Sequence, residues 1–541
     1  MGASAVLAPT SIWHTCGVSL YPAPVAHPAA LAPFKADLQR AKWDVDHVNG
    51  LLGAQAQAAL LREQRVPALQ AARAIAPGTV GAARALLTRL FILGDTLSEA
   101  ELQSALPTAG RTGAQQLGLV TATTAGWQAT VDLRPHSAFG AEQWFASDRS
   151  EMTAGTALAP THVLGVGGAS ATLAAWTIRE SVAGGRHGLA IDIGTGCGIQ
   201  ALQAAHFSTA VIGTDISARA LQFARFNAAL NGIDVEWRTG SLLAPVAECQ
   251  ADLIVSNPPF VITPPELALP LMEYRDGGWG GDRLVAELVA GLGERLAPGG
   301  VAQLLANWEH HQGQPWQQRV AAWLPSGVNA WVVQREVLDP AEYVEMWLRD
   351  GGLDPRSDRP TYEQHYGEWL ADFRTRAVQG IGFGQIILHR PPTPGPTWQR
   401  LEHVDSLGTA DPASHVLATL RVGQQLAALD DTELAAATVR VAADVVEERY
   451  TMPGTGELRL MRLAQGGGLA RQFALGTAEA AVVGACDGEL PLGVLCDAVA
   501  GLLEADAAAV RAACLPLIRD LLFGGLLELV HPAEGSQNEQ A

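Results

Sequence analysis

Lysine is almost missing from this chain: Lys35 and Lys42 are the only two in 541 residues. Lys and Arg together number 36 against 55 Asp and Glu, a net charge of −19. Such a balance opposes long-range attraction to nucleic acid or anionic membranes, although a local basic groove stays compatible with it. From residue 401 onward 8 Arg face 20 Asp and Glu, so this end is the most acidic. The six cysteines (Cys16, Cys197, Cys249, Cys486, Cys496, Cys514) form no CxxC pair and have no zinc-ligand spacing. Scattered thiols of this kind read as reduced residues of a cytoplasmic protein. No Lys or Arg precedes Lys35 and prolines interrupt the first segment, which excludes the charged start of a signal peptide. No unbroken apolar run reaches membrane-spanning length, and no G-x-S-x-G nucleophile elbow occurs.

What is present is material for large cores, with 48% hydrophobic and 17% charged residues, and a length that implies two to four domains. Residues 1–34 read as a flexible leader. Residues 35–150 read as helices followed by a small hairpin, with Thr96 or Ser98 capping "SEAELQSAL". This order is winged-helix-like or that of a generic α+β appendage. Residues 151–390 alternate strand ("GLAIDIG", "AVIGTDI", "VEWRTG", "DLIVSNP", "VAQLLAN") and helix, the pattern of an α/β doubly wound sheet. A Pro-rich linker is expected at 391–405, a helical, winged-helix-like domain at 406–530, and a frayed tail at 531–541.

"LAIDIGTGCGIQAL" runs from a strand through a glycine turn into a helix. Gly194, Gly196 and Gly198 allow a tight turn and close backbone approach to a ligand. The third position of a G-x-G-x-x-G dinucleotide fingerprint is Ile199, which argues against NAD or FAD. Asp215 ends the next strand, 19 residues past Gly196, where an acid can accept from both ribose hydroxyls of a nucleoside cofactor. A lone aspartate there would merely cap the following helix. Asp192 is placed either to orient the loop or to meet a cofactor ammonium through water.

D-x-G-x-G-x-G with a second-strand acid resembles class I S-adenosylmethionine-dependent methyltransferases over about residues 160–390. The resemblance implies a Rossmann-like seven-stranded sheet, S-adenosyl-L-methionine as cofactor, Ile216 beside the ribose-binding acid, and Ser241 and Leu242 at the adenine. Many relatives carry Asp at the position of Ser241. "NPPF" (257–260) resembles the [DNS]-P-P-[YFW] motif of enzymes that methylate nitrogens conjugated to a π-system, such as adenine N6, guanine N2 and the glutamine amide methylated by HemK/PrmC-type enzymes. By that resemblance the Asn257 side-chain oxygen and the Pro258 carbonyl accept the two N–H bonds of a planar NH2. They would aim its lone pair at the methyl group, while Phe260 stacks on the planar group.

Two flanking stretches extend the resemblance: "APTHVLGVGGASATLAAW" before the glycine loop and "EYRDGGWGGDRLVAEL" after NPPF. Arg275 and Asp276 read either as substrate-mouth residues or as a solvated ion pair. In "NWEHH" (307–311) the adjacent His310 and His311 point apart, so no metal is expected. The implied acceptor is a macromolecule, with a protein glutamine (a translation factor, for example) favoured over a base in ribosomal RNA. The competing class is a non-catalytic adaptor on the same fold. The oligomeric state is not legible.

Overall fold

The computed structural model describes residues 21–155, 158–265, 272–408 and 411–530. The expected tail (531–541) and the first twenty residues of the expected leader lie outside the described residues. Within that leader, the helix Pro28–Arg40 begins on a proline, whose fixed φ suits a first helical turn.

The centre is one eight-stranded sheet. In chain order its strands are β1 (His187–Ile193), β2 (Ser208–Asp215), β3 (Glu236–Thr239), β4 (Ala251–Ser256), β5 (Leu296–His311), β6 (Asn329–Leu338), β7 (Val378–His389) and β8 (Gln399–His403). Their spatial order is β3-β2-β1-β4-β5-β7-β6-β8. Strands β1 to β5 pair in parallel, and β7 runs antiparallel between β5 and β6. Both faces are covered, so the strands read as continuous apolar runs whose successive residues enter different cores. Ala190, Leu253 and Val255 face one cluster; Ile191, Ile254 and Ala302 face the other. The first face is packed by α1 (Gly168–Trp176), α2 (Ile199–Ala204) and α3 (Ala218–Asn231). The second is packed by α4 (Arg283–Arg295) and α5 (Trp316–Ala321). This is the doubly wound Rossmann-like fold expected, with mainly helical segments flanking it.

The sheet has one strand more than expected. β8 falls inside the stretch read as linker and pairs in parallel with β6, from Ala330↔Gln399 to Gln334↔His403. The short, polar "QRLEH" has no apolar alternation, yet it covers the free edge that β6 would otherwise present. Glu402 holds it by accepting from the Trp331 indole N–H at 2.7 Å.

β5 outruns β4, whose last residue pairs with Leu304, and continues as an antiparallel ribbon with β7 to His311, flanked by β6 as far as Leu338↔Ile381. α6 (Pro340–Asp350) and α7 (Arg359–Thr375) connect β6 to β7 and pack on that ribbon. Their Tyr343, Trp369 and Phe373 share a core with Val261 and Ile262, just past NPPF. The carboxyl edge of the sheet is therefore roofed on the β4–β5 side.

Ahead of the sheet, Ser98 caps the helix Glu99–Ala105 in a capping box with Glu101. Two hairpins follow: Val120–Thr123 with Gly126–Ala129, then Asp132–Ala138 with Ala141–Ser147. The second hairpin lies along α3. Asn227 and Asn231, one turn apart, each exchange a pair of hydrogen bonds with its backbone, at Ala146 (2.8 and 2.9 Å) and Trp144 (2.9 Å both). The helix thus presents amide side chains where a neighbouring strand would present its main chain. After the sheet, the last part of the chain is richer in strand than expected, with two three-stranded sheets beside its helices.

Candidate active site

β1 and β4 leave their carboxyl ends side by side where the strand order reverses, the place where doubly wound sheets open a crevice. A cavity of about 420 Å³ lies there. Of the residues singled out from sequence, Gly194, Gly196, Asp215, Ile216, Ser241, Leu242, Asn257 and Pro258 line it; Asp192, Gly198 and Phe260 do not.

The glycine loop is built from within. Gly194 and Gly196 sit at φ 71° and 56°, and a Cβ on either would project into open space, so the loop leaves a bare cradle. Asp192 is buried beneath it and accepts from Thr195 Oγ1 at 2.6 Å and from the Ala201 N–H at 3.0 Å. Of its two sequence roles, orienting the loop is the one these bonds display. Burial pushes its carboxyl up to about 7. Gly198 caps α2 at φ 91° with a Cβ position only 3.2–3.3 Å from Ala224 and Leu202, so it serves helix packing. Cys197 lines the cavity as a buried thiol whose titration burial pushes up to about 12, unsuited to nucleophilic work.

Asp215 accepts from the Gly196 N–H at 2.9 Å and the Ser217 N–H at 2.8 Å, tying β2 to the cradle. Burial raises its pKa, and the nearby Glu273 charge adds to the rise. Beside it Ile216 holds an apolar side chain 66% exposed at the cavity wall. The Gly240 N–H donates to the Asp215 carbonyl at 3.0 Å, and Leu242 follows at a left-handed φ of 47°. Ser241 and Leu242 are thereby brought round to the same wall.

Asn257 follows Ser256, which donates to the Ile193 carbonyl at 2.8 Å and locks β4 to β1. The Asn257 side-chain oxygen is buried and has no hydrogen-bond partner. Pro258 has no N–H to give, and no described residue donates to its carbonyl. Phe260, expected at the acceptor, is half-buried where the sheet core meets the roof core and is not among the residues lining the cavity. The apolar Val261–Ile262 pair that follows is drawn under the roof by Tyr343 and Trp369, through the Ile262 N–H and carbonyl at 2.8 and 3.0 Å.

The Gly-rich stretch after NPPF forms the opposite wall through Glu273, Tyr274, Asp276, Gly277, Gly278 and Trp279. Arg275 and Asp276 are a buried pair, 6% and 7% exposed, and not a solvated one. Asp276 accepts from Thr263 Oγ1 at 2.6 Å and the Met272 N–H at 2.8 Å, while Arg275 reaches Asp350 at 2.8 Å. His162 and Val163, in the segment before the glycine loop, complete the lining; Asp148 fixes Val163 by accepting its N–H at 2.8 Å and is itself paired with Arg219. The pull of Glu273 and Trp279 into the site carried no spacing signal; only the Gly-Gly repeats around the latter hinted at it.

Among the described lining residues Asp215, Glu273 and Asp276 are acidic and none is Lys or Arg. With Asp276 paired to Arg275, the Asp215 and Glu273 carboxyls, a bare glycine cradle and an exposed Ile suit a nucleoside ligand bearing positive charge. S-adenosyl-L-methionine, with its sulfonium and ammonium groups, fits that description. Among the described residues no group of three or more His, Cys, Asp or Glu could hold a metal, and no helix is long and apolar enough to cross a membrane.

Comparison with known proteins agrees with the class of site. Residues 170–269 match the family model described as methyltransferase small domain, and residues 40–130 match a domain of unknown function, DUF7059. No curated protein matches. Similar solved structures include a ribosomal protein L11 methylase from Lactobacillus delbrueckii subsp. bulgaricus, 28% identical over 27% of this chain and 61% of that one, TM-score 0.19. The YcgJ protein of Bacillus subtilis is 14% identical over 40% and 94%, TM-score 0.25. A SAM-dependent methyltransferase from Thiobacillus denitrificans, solved with S-adenosyl-L-homocysteine, is 16% identical over 42% and 92%, TM-score 0.23. The chain thus spans less than two thirds of the first of these. The family match covers residues 170–269 alone and, with the doubly wound fold, agrees with the resemblance to S-adenosylmethionine-dependent methyltransferases read from the sequence.

Proposed function

We propose that the protein transfers a methyl group from S-adenosyl-L-methionine to a planar sp2 nitrogen, with a protein glutamine amide as the favoured acceptor. The observation that carries this is the buried, unpartnered oxygen of Asn257 beside the Pro258 carbonyl. A buried acceptor left unpaired costs about 1–3 kcal/mol, a cost relieved when a ligand N–H completes the bond. Two free acceptors on consecutive residues match in number the two N–H groups of an NH2. Holding both draws the nitrogen toward tetrahedral geometry and frees its lone pair, which is otherwise delocalised and a poor nucleophile.

In this reading Gly194, Gly196, Asp215, Ile216, Ser241 and Leu242 hold the cofactor, Asp192 shapes the loop under it, and the cofactor when bound supplies the electrophilic methyl. The acidic lining supports a protein acceptor over RNA, whose phosphates it would repel. The test is Asn257→Ala. Methyl transfer into cell extract should fall at least a hundredfold while cofactor affinity stays within threefold by calorimetry. Unchanged transfer would sink the acceptor role. Label recovered in RNA and not in protein would move the reading to a base exocyclic amine. A chain that binds no cofactor would leave only an adaptor.

A further inference from the structure

The NPPF resemblance assigns the stacking of the planar acceptor to Phe260, yet that ring is used elsewhere. It packs against the sheet core and the roof core together and contributes nothing to the cavity wall. The cavity has a different large aromatic. Trp279 lines it with 45% of its surface exposed, which leaves much of the indole free to be covered by a ligand.

Trp279 is also displayed from a fixed place. Its loop is fastened to NPPF on one side: the Val261 N–H donates to the Arg275 carbonyl at 2.9 Å, and Val261 bridges to Asp276. Gly277 lies so close that a Cβ there would stand 3.1 Å from the Pro259 carbonyl and 2.7 Å from Leu284. On the other side Gly281, at φ 67°, sits where a Cβ would meet Arg376 and Glu309 at 3.2 and 3.3 Å. Next to it Asp282 is buried, accepting from the Glu309 N–H at 2.9 Å and paired with Arg319. A loop clamped at both ends carries the indole into the lining of the cavity that Asn257 also lines.

We infer that Trp279, and not Phe260, is the aromatic platform that holds the planar acceptor group in the cleft. The inference rests on the methyltransferase reading and sharpens it, since it names the side chain that sets acceptor affinity. Stacking on an indole face favours a flat, delocalised group over an aliphatic amine, and it acts on the acceptor without touching the cofactor cradle.

The probe is the fraction of cell extract that receives labelled methyl from the wild-type protein, titrated to its half-saturating amount. Trp279→Ala should raise that amount tenfold or more, with cofactor affinity and melting temperature close to wild type. Trp279→Phe should restore most of the loss, which a merely structural role for the indole would not predict. Phe260→Leu, a change inside packed apolar surroundings, should leave half-saturation within threefold. Unaltered half-saturation in Trp279→Ala, or the larger effect in Phe260→Leu, overturns the inference. If that happens while Asn257→Ala remains inactive, the functional reading survives alone. A wild-type chain that transfers no methyl to any fraction overturns the reading and the inference with it.

Discussion

Asp192 shows how one residue can be found in the sequence for a site and yet serve it from below. Its position before the glycines was legible; its burial was not, because only the assembled sheet and α2 close over it. Both bonds it accepts fall on one oxygen, Oδ2, so an asparagine can keep them. Burial holds its proton in the fold to about pH 7, while an unfolded chain releases it near 3.8. The folded state therefore binds more protons across that window, and this group's contribution to stability falls as pH rises from about 4 to about 7. Asp192→Asn removes that slope. Its melting temperature should gain on wild type by more than about 3 °C between pH 4.5 and 7.5, measured by scanning calorimetry. An unchanged gap would mean that the carboxyl is ionised throughout.

At the scale of elements, the βαβ core was readable because its signals are local. Continuous apolar runs, a glycine turn and a Pro-Pro stop each act within a few residues. Gly194, Gly196 and Asn257 came to line the cavity for that reason. Phe260 did not, since whether it faces the cleft depends on α6 and α7, which arrive more than 80 residues later and draw Val261 and Ile262 under them. β8 was missed because an edge strand needs only one good pairing and no apolar face. The same dependence on distant packing makes the loop after NPPF testable. Gly277→Ala would press a methyl against Pro259 and Leu284 and shift the NPPF loop by a fraction of an ångström. Turnover should drop tenfold or more with cofactor affinity within threefold. A normal kcat would show that the two loops are not in register contact.

Across the whole molecule, the two segments matched by family models, 40–130 and 170–269, leave the hairpin Asp132–Ser147 between them. That hairpin is where the flanking part of the chain meets the doubly wound core. Its edge ends on Asn227 and Asn231, and Asn227 also donates to the Cys197 carbonyl in the glycine loop at 2.8 Å. One amide group thus has one hand on the hairpin and the other on the glycine loop. Opening either side leaves the same side chain unpaired in a buried place, so the two should come apart together. Bound S-adenosyl-L-homocysteine should slow hydrogen exchange at the Trp144 and Ala146 amides as well as at the glycine loop. Asn227→Ala should confine that protection to the loop. The asparagine ladder then acts as a mechanical splice, through which an event at the cofactor is felt in a segment that never touches it.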